Sequence, residues 1–286
     1  MKHVLSVAFI ALTLSASAQK VNNKLNFQKG QKLEMVSKVN TTVSMEMMGQ
    51  SLDTKIDATI TRTFDVEDVT SNGATIEHKV KRVQTNLEIP MQGTQTFDSD
   101  KESDMKSENG KAMEKALKNK YKMTLNGDGK IATIKADDDN PNKNPSKDED
   151  MMSTAMAQMA AGFDLPKVGD KSEFAILPAK ELGKGESWTD TANNIKAVYT
   201  VSDITATDVV INYTEEGTTS RKQEAMGQEI NMSSKDKTTG KITIDRKSGL
   251  LKEKTATTSS EGNMEVGGQS MPMNTKVTKT ITVKAS

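Results

Sequence analysis

Met45 to Leu52 reads M-E-M-M-G-Q-S-L, and Met264 to Met271, near the other end of the chain, reads M-E-V-G-G-Q-S-M. A looser third copy, A-M-G-Q-E-I, runs from Ala225 to Ile230. Each copy lies between two long segments in which apolar or β-branched residues alternate with polar ones. A period of two belongs to strands with one face turned inward, and a short glycine-bearing break between two such strands is a hairpin tip. Glycine supplies the positive φ that a tight turn uses. Three tips of related composition therefore predict long antiparallel arms, a constraint on architecture more than on chemistry.

Along the chain, Lys32 to Met47, Ser51 to Val69 and Ala74 to Ile89 read as the first three strands of a meander, with Ser71-Asn72-Gly73 as a turn and Pro90 as a stop. Thr94 to Phe97 is a short extended piece. From about Asn109 to Asn119 the period becomes helical, with Ala112, Met113, Ala116 and Leu117 on one face and Ser107 or Asn109 placed to cap it. Asn126-Gly127-Asp128-Gly129 joins the strands Tyr121 to Leu125 and Lys130 to Ile134. The run from Asp137 to Asp150, D-D-D-N-P-N-K-N-P-S-K-D-E-D, has the composition of a solvated linker. A second helix is predicted over Met151 to Ala161, where Met151, Met152, Ala155, Met156 and Met159 form an apolar stripe and Gly162 suits the end. After Trp188 come strands at Ile195 to Ser202, Asp208 to Thr214, Thr218 to Met226, Glu229 to Lys237, Lys241 to Asp245, Leu250 to Thr258 and Met273 to Val283.

The expected fold is mainly β: a long-stranded antiparallel meander, curved or half-barrel, with two short helices and pseudo-repeated halves. The repeat is carried by the tips and by the likeness of Met123 to Ile134 to Ile242 to Leu251, each a polar turn ending in glycine between two alternating runs. The expected organisation is a leader over residues 1–18, an N-terminal β half with one helix over 19–136, the linker over 137–150, and a helix followed by the C-terminal meander over 151–286.

The leader is read from Lys2, the apolar run Val4 to Leu14 and the small residues Ser15-Ala16-Ser17-Ala18, which fit a secretory signal peptide cut before Gln19. That run is too short to span a bilayer and no later one is longer, so the expected product is soluble, in the periplasm or outside the cell, without a transmembrane segment. The sequence has no cysteine, which removes disulfides and a lipid-anchoring cysteine. Lysine plus arginine and aspartate plus glutamate both number 39, so no net charge points to nucleic acid. One Trp, three Tyr and six Phe leave little for base stacking or a sugar platform.

Histidine narrows the chemistry further. His3 leaves with the leader, and His78 sits in a predicted strand with no G-x-S-x-G elbow anywhere, so it reads as an ordinary strand residue. His/Cys zinc sites lack their ligands. Gly127-Asp128-Gly129-Lys130-Ile131-Ala132 matches G-x-G-x-x-A, but a strand and not a helix is expected after it, so it reads as a hairpin turn. Asp137 to Asp139 and Asp148 to Asp150 lack EF-hand spacing. No catalytic residue, cofactor or resident metal is expected.

The signal peptide, the Thr-rich strands with G-Q tips, Thr96-Phe97-Asp98-Ser99, the segment Y-K-M-T-L-N-G-D-G-K-I and the glycine-led run ending in Trp188 resemble an uncharacterised family of secreted Gram-negative envelope proteins. The segment I-T-I-D-R-K-S-G-L-L is similar to the curved sheets of periplasmic lipoprotein carriers, half-barrels that shuttle acylated molecules. The resemblance implies a fold and transfers no catalytic residue.

Methionine, at 18 residues, is the one type with a positive case. Three readings stand: core filler; an adaptable groove in which Met113, Met151, Met152, Met156 and Met159 line a surface for an acyl chain or an envelope protein partner; and a Cu(I) site of Met45, Met47, Met271 and Met273, which the tips could bring together. The expectation is a non-enzymatic envelope protein that binds an apolar, lipid-like ligand or a protein. A purely structural module displaying β-hairpins is the alternative.

Overall fold

The computed structural model describes residues 20–47, 50–91, 93–136, 165–192, 194–225, 228–266 and 268–285. Alternation over Thr-, Val- and Ile-rich runs produces β1 (Lys32–Met47), β2 (Gln50–Thr70), β3 (Gly73–Ile89) and the short β4 (Gly93–Asp98). One helical turn, α1 (Glu102–Met105), leads to α2 (Glu108–Leu117). Ser107 caps α2 by accepting a hydrogen bond from the Gly110 amide at 3.2 Å. There follow β5 (Lys120–Asn126), β6 (Ile131–Ala136), β7 (Ser187–Ala192), β8 (Ile195–Ile204), β9 (Asp208–Ala225), β10 (Gln228–Asp245), β11 (Leu251–Val266) and β12 (Gln269–Ala285).

All twelve strands join one antiparallel, open, curved sheet in the order β6-β5-β3-β2-β1-β12-β11-β10-β9-β8-β7, with β4 against β3. The two halves of the chain meet at its centre, where β1 pairs with β12 from Leu33 opposite Ala285 to Met45 opposite Met273. The three repeated motifs are the tips of the β1–β2, β9–β10 and β11–β12 hairpins, all at one end of the sheet. The expected mainly-β meander is therefore the observed fold.

The other end, the base, is plugged. Residues 20–27 and a strap over 165–186 lie against the inward face, tied by the Val21–Leu182 bridge and by the Lys130–Lys171 bridge to the rim of β6. Lys171 also makes an ion pair with Asp190 on β7, so the strap runs between the two edge strands. The core forms here: Phe174 packs edge-on against Phe27 and Phe64 at 5.5 and 5.1 Å, and Leu182, Ile211, Ile242 and Ile76 are fully buried around them. Each such side chain contributes about 1.5–3 kcal/mol. A second core holds α2 on β2 to β4, with Met113 against Ile60, Val80, Val83 and Phe97.

Two turns of like pattern grip the same N-terminal segment. Asn23 donates to the Asp128 carbonyl at 2.6 Å and Asn26 to the Lys247 carbonyl at 2.8 Å. Gly129 and Gly249 close those turns with φ of +72° and +73°, and a Cβ on either would strike the N-terminal segment, at Leu25 or Lys24. The G-x-G-x-x-A match is thus a hairpin turn followed by β6, as expected.

The structure departs from the sequence expectation in particular places. The two strands predicted on either side of Gly217 are one, β9, and the two on either side of Gly240 are one, β10. The gaps left between those strands hold these glycines, which serve close approach within a continuous strand: a Cβ on Gly240 would enter the Tyr213 ring, and one on Gly217 would lie 2.9 Å from the Asn194 carbonyl. Strand β7 and the single turn α1 were not anticipated. The linker and the helix predicted over Met151 to Ala161 lie outside the described residues.

Candidate ligand-binding face

Because the strand period is two and the ladders are in register, the inward side chains fall into rows across the sheet. From the base toward the tips, the first row holds Ile211, Ile242, Lys254, Ile281, Ser37 and Ile60. The next holds Tyr199, Tyr213, Gly240, Ala256, Lys279, Val39 and Ala58. Then come Glu215, Thr238, Thr258, Val277, Thr41 and Ile56, followed by Asp236, Ser260, Thr275, Val43 and Thr54. Gly262, Met273, Met45 and Leu52 form the fifth row, and Met232, Met264 and Met271 the sixth.

Among the described residues neither apolar core extends past the second of these rows. Beyond it, inward residues are half-buried, apart from the buried Thr238, while outward neighbours such as Asp53, Lys55, Glu261, Asn274 and Lys276 are exposed. The result is a trough whose β1, β2 and β12 side is mostly apolar, with Thr41, Thr54 and Thr275 among its side chains, whose β10 and β11 side carries hydroxyls, glycine and Asp236, which accepts from Thr219 and Ser234, and whose far rim is methionine.

Charge collects at the trough's closed end. Arg62 is buried, with its guanidinium 2.8 Å from Glu173 of the strap and 3.1 Å from the Met35 sulfur. Lys254 stands with its ammonium 4.8 Å from the centre of the Tyr213 ring. Burial holds both the Lys254 and Lys279 ammonium groups below the ordinary lysine range, against the opposing pull of Glu215 and Glu173 on Lys254 and of Glu173 on Lys279. Beside them Trp188, Tyr199 and Tyr213 stack in sequence at 4.9 and 5.6 Å, with Gly240 leaving the space that Tyr213 fills. Burial, with Glu215 nearby, pushes the Tyr199 phenol up to about 12.

His78 is fully buried between Phe64 and Tyr121, stacked on the latter at 4.4 Å. Burial, with Arg62 nearby, lowers its pKa to about 3 although the Asn119 backbone pulls the other way. It is a neutral core ring. Asp98 of the T-F-D-S motif accepts from Arg82 at 3.0 and 2.6 Å and from Gln84 at 3.2 Å, while Phe97 enters the second core. That motif builds the corner between β4 and α1.

Of the residues singled out as a groove, Met113 is 2% exposed and occupied in packing α2 onto the sheet, and Met151, Met152, Met156 and Met159 lie outside the described residues. Of the tip methionines, Met45 is opposite Met273, and Met271 is opposite Met264; the Met47 side chain is outside the description. Lys254, Lys279 and the aromatic ladder were missed, because only the register sets them side by side. Among the described residues no group of three or more His, Asp or Glu side chains could hold a metal ion, and no helix is long and apolar enough to cross a membrane.

The sequence profile of a family of unknown function, DUF6263, matches residues 71–251, well over half the chain. The protein belongs to this family. The DUF6263 stretch runs from the β2–β3 turn to the first residue of β11, so it contains the strap and the aromatic ladder and leaves Lys254 and Lys279 beyond it. No curated protein matches the chain in sequence. Among solved structures, lipovitellin, described for its lipid–protein interactions, shares the fold of this DUF6263 protein with a TM-score of 0.50 at 9% identity over 91% of this chain. The chain spans 25% of lipovitellin's length. An outer membrane channel from Pseudomonas putida F1 matches with a TM-score of 0.27 at 8% identity, covering 92% of this chain and 98% of that one. The β domain of the Bordetella autotransporter BrkA matches with a TM-score of 0.25 at 7% identity, covering 89% and 99%.

Proposed function

We propose that this is an exported, non-enzymatic binding protein that holds an apolar, lipid-like ligand in the trough between the plugged base and the hairpin tips. The observation that carries the reading is the set of inward rows that no core of the described residues reaches, lined on one side by Ile56, Val43, Val277 and Leu52 and rimmed by methionine. Methionine's flexible, polarizable chain suits a surface that adapts to an irregular apolar ligand. A curved sheet of the kind shared with lipovitellin is a scaffold on which such a ligand can lie. Export rests on the leader-like residues 1–18, and the non-enzymatic reading is supported by the burial of His78.

The test is binding of the neutral fluorophore N-phenylnaphthylamine to the full mature chain. Binding with a blue-shifted emission is expected, lost in Val43→Asp combined with Val277→Asp and kept in Thr278→Asp, which alternation points outward. No binding, or equal loss in all variants, would overturn the reading. A second reading, a thioether site for Cu(I), draws on the alignment of Met45 with Met273 and of Met264 with Met232 and Met271. It requires that the chain take Cu(I) from a colorimetric chelator and that Met273→Leu abolish this.

A further inference from the structure

The trough is not uniformly apolar along its length. At its closed end two lysines from neighbouring strands, Lys254 of β11 and Lys279 of β12, project inward as diagonal neighbours: Lys279 is opposite Ala256, and Lys254 opposite Ile281. Among the described residues neither has an acid at ion-pair distance; Lys254 has the Tyr213 ring, and Lys279 has no hydrogen-bonding partner. The acids at this level are engaged elsewhere. Glu173 is 2.8 Å from Arg62, Asp190 is paired with Lys171, and Glu215 stands beside Tyr199.

Resting on the reading above, we propose that the ligand is a single-chain anionic amphiphile, a long-chain carboxylate, with its head at Lys254 and Lys279 and its chain running toward Met273 and Met45. Two ammonium groups held largely out of water, with Glu173 and Glu215 felt only from beyond ion-pair distance, are a costly arrangement, and an anion delivered between them would satisfy both. Thr238 and Thr258, with hydroxyls 2.8 Å apart one row tipward, can add donors to a carboxylate. The strap closes the base beneath the lysines, so the headgroup sits at a blind end and must be small. Toward the tips, the six residue steps from Lys279 to Met273 span roughly 20 Å of strand, the reach of a long acyl chain.

Displacement of bound N-phenylnaphthylamine by palmitate, by methyl palmitate and by lysophosphatidylglycerol tests this. Palmitate should displace the probe at about tenfold lower concentration than its methyl ester, the ratio expected of a charge-assisted contact. In Lys254→Gln combined with Lys279→Gln that preference, taken as the ratio of the two displacing concentrations within the variant, should fall to within about twofold. Both lysines are desolvated, so neutralising them should leave the melting temperature unchanged or raised, and Lys279→Met keeps the apolar stem as a second variant. Equal displacement by palmitate and its ester, a preference that survives the double variant, or tighter binding of lysophosphatidylglycerol would overturn the carboxylate while leaving apolar binding intact. Failure of the probe to bind at all would remove both readings.

Discussion

At the base of the sheet, Ile211, Ile242 and Phe64 are sealed beneath Phe174 and Leu182, whereas farther along the same hairpins Val43, Thr275 and Met273 have no core above them among the described residues. The strands are continuous and the inward alternation does not change between the two regions. What changes is the cover. Alternation decides which side chains face inward, but burial needs a second layer, and, among the described residues, the segment 20–27 and the strap supply it at the base. Stability is therefore concentrated at one end, and the proposed ligand would lie at the other, on the same strands.

The contrast is broken most severely by removing the plug's central ring. Phe174→Ala should cost about 3–5 kcal/mol in urea unfolding, since it leaves a cavity among Phe27 and Phe64 that the sheet cannot collapse to fill. Acid should act on the same end next. His78 has a pKa of about 3 in the fold against 6.5 unfolded, so its contribution is fully present above pH 6.5 and is lost as pH falls toward 3. That loss is roughly 4 kcal/mol, and His78→Phe, which keeps the stack on Tyr121, should flatten the pH–stability curve over this window.

Asp98 should give a smaller effect outside the plug. Hydrogen bonding from Arg82 lowers its carboxyl from 3.8 to about 2, so this contribution is intact above about pH 4 and fades as pH drops to 2. Asp98→Asn should cost about 1–2 kcal/mol by chemical denaturation. The least stability should be lost at the tips, where Met45→Ala or Met273→Ala should cost no more than about 1 kcal/mol each while weakening N-phenylnaphthylamine binding several-fold. A tip variant that destabilised the protein as much as Phe174→Ala would show that the two ends are one cooperative core.

Much of the fold was legible in the residues because alternation is local. The three tips, the N-G-D-G turn and α2 could each be read within a window of about a dozen positions. Gly217 and Gly240 misled because a glycine in a strand looks the same whether it breaks the strand or admits a neighbour, and the ring that needs Gly240, Tyr213, lies on another strand. The candidate site was hardly legible at all. Lys254 and Lys279 look like any surface lysines until the ladder between β11 and β12 puts both on the inward face, and β7 was hidden because Ser187 to Ala192 is short and weakly apolar.

The pairing of β1 with β12 bears on the order in which the molecule can assemble. The two strands at the centre of the sheet are the first and the last of the twelve, so no local hairpin can form that junction, and it closes only after Ala285 has been made. Until then β1 presents a free ladder edge and β11 another, the kind of surface that recruits foreign strands. A chain stopped before Gln269 would lack the seam of its sheet, leaving two half-sheets that share only the plug.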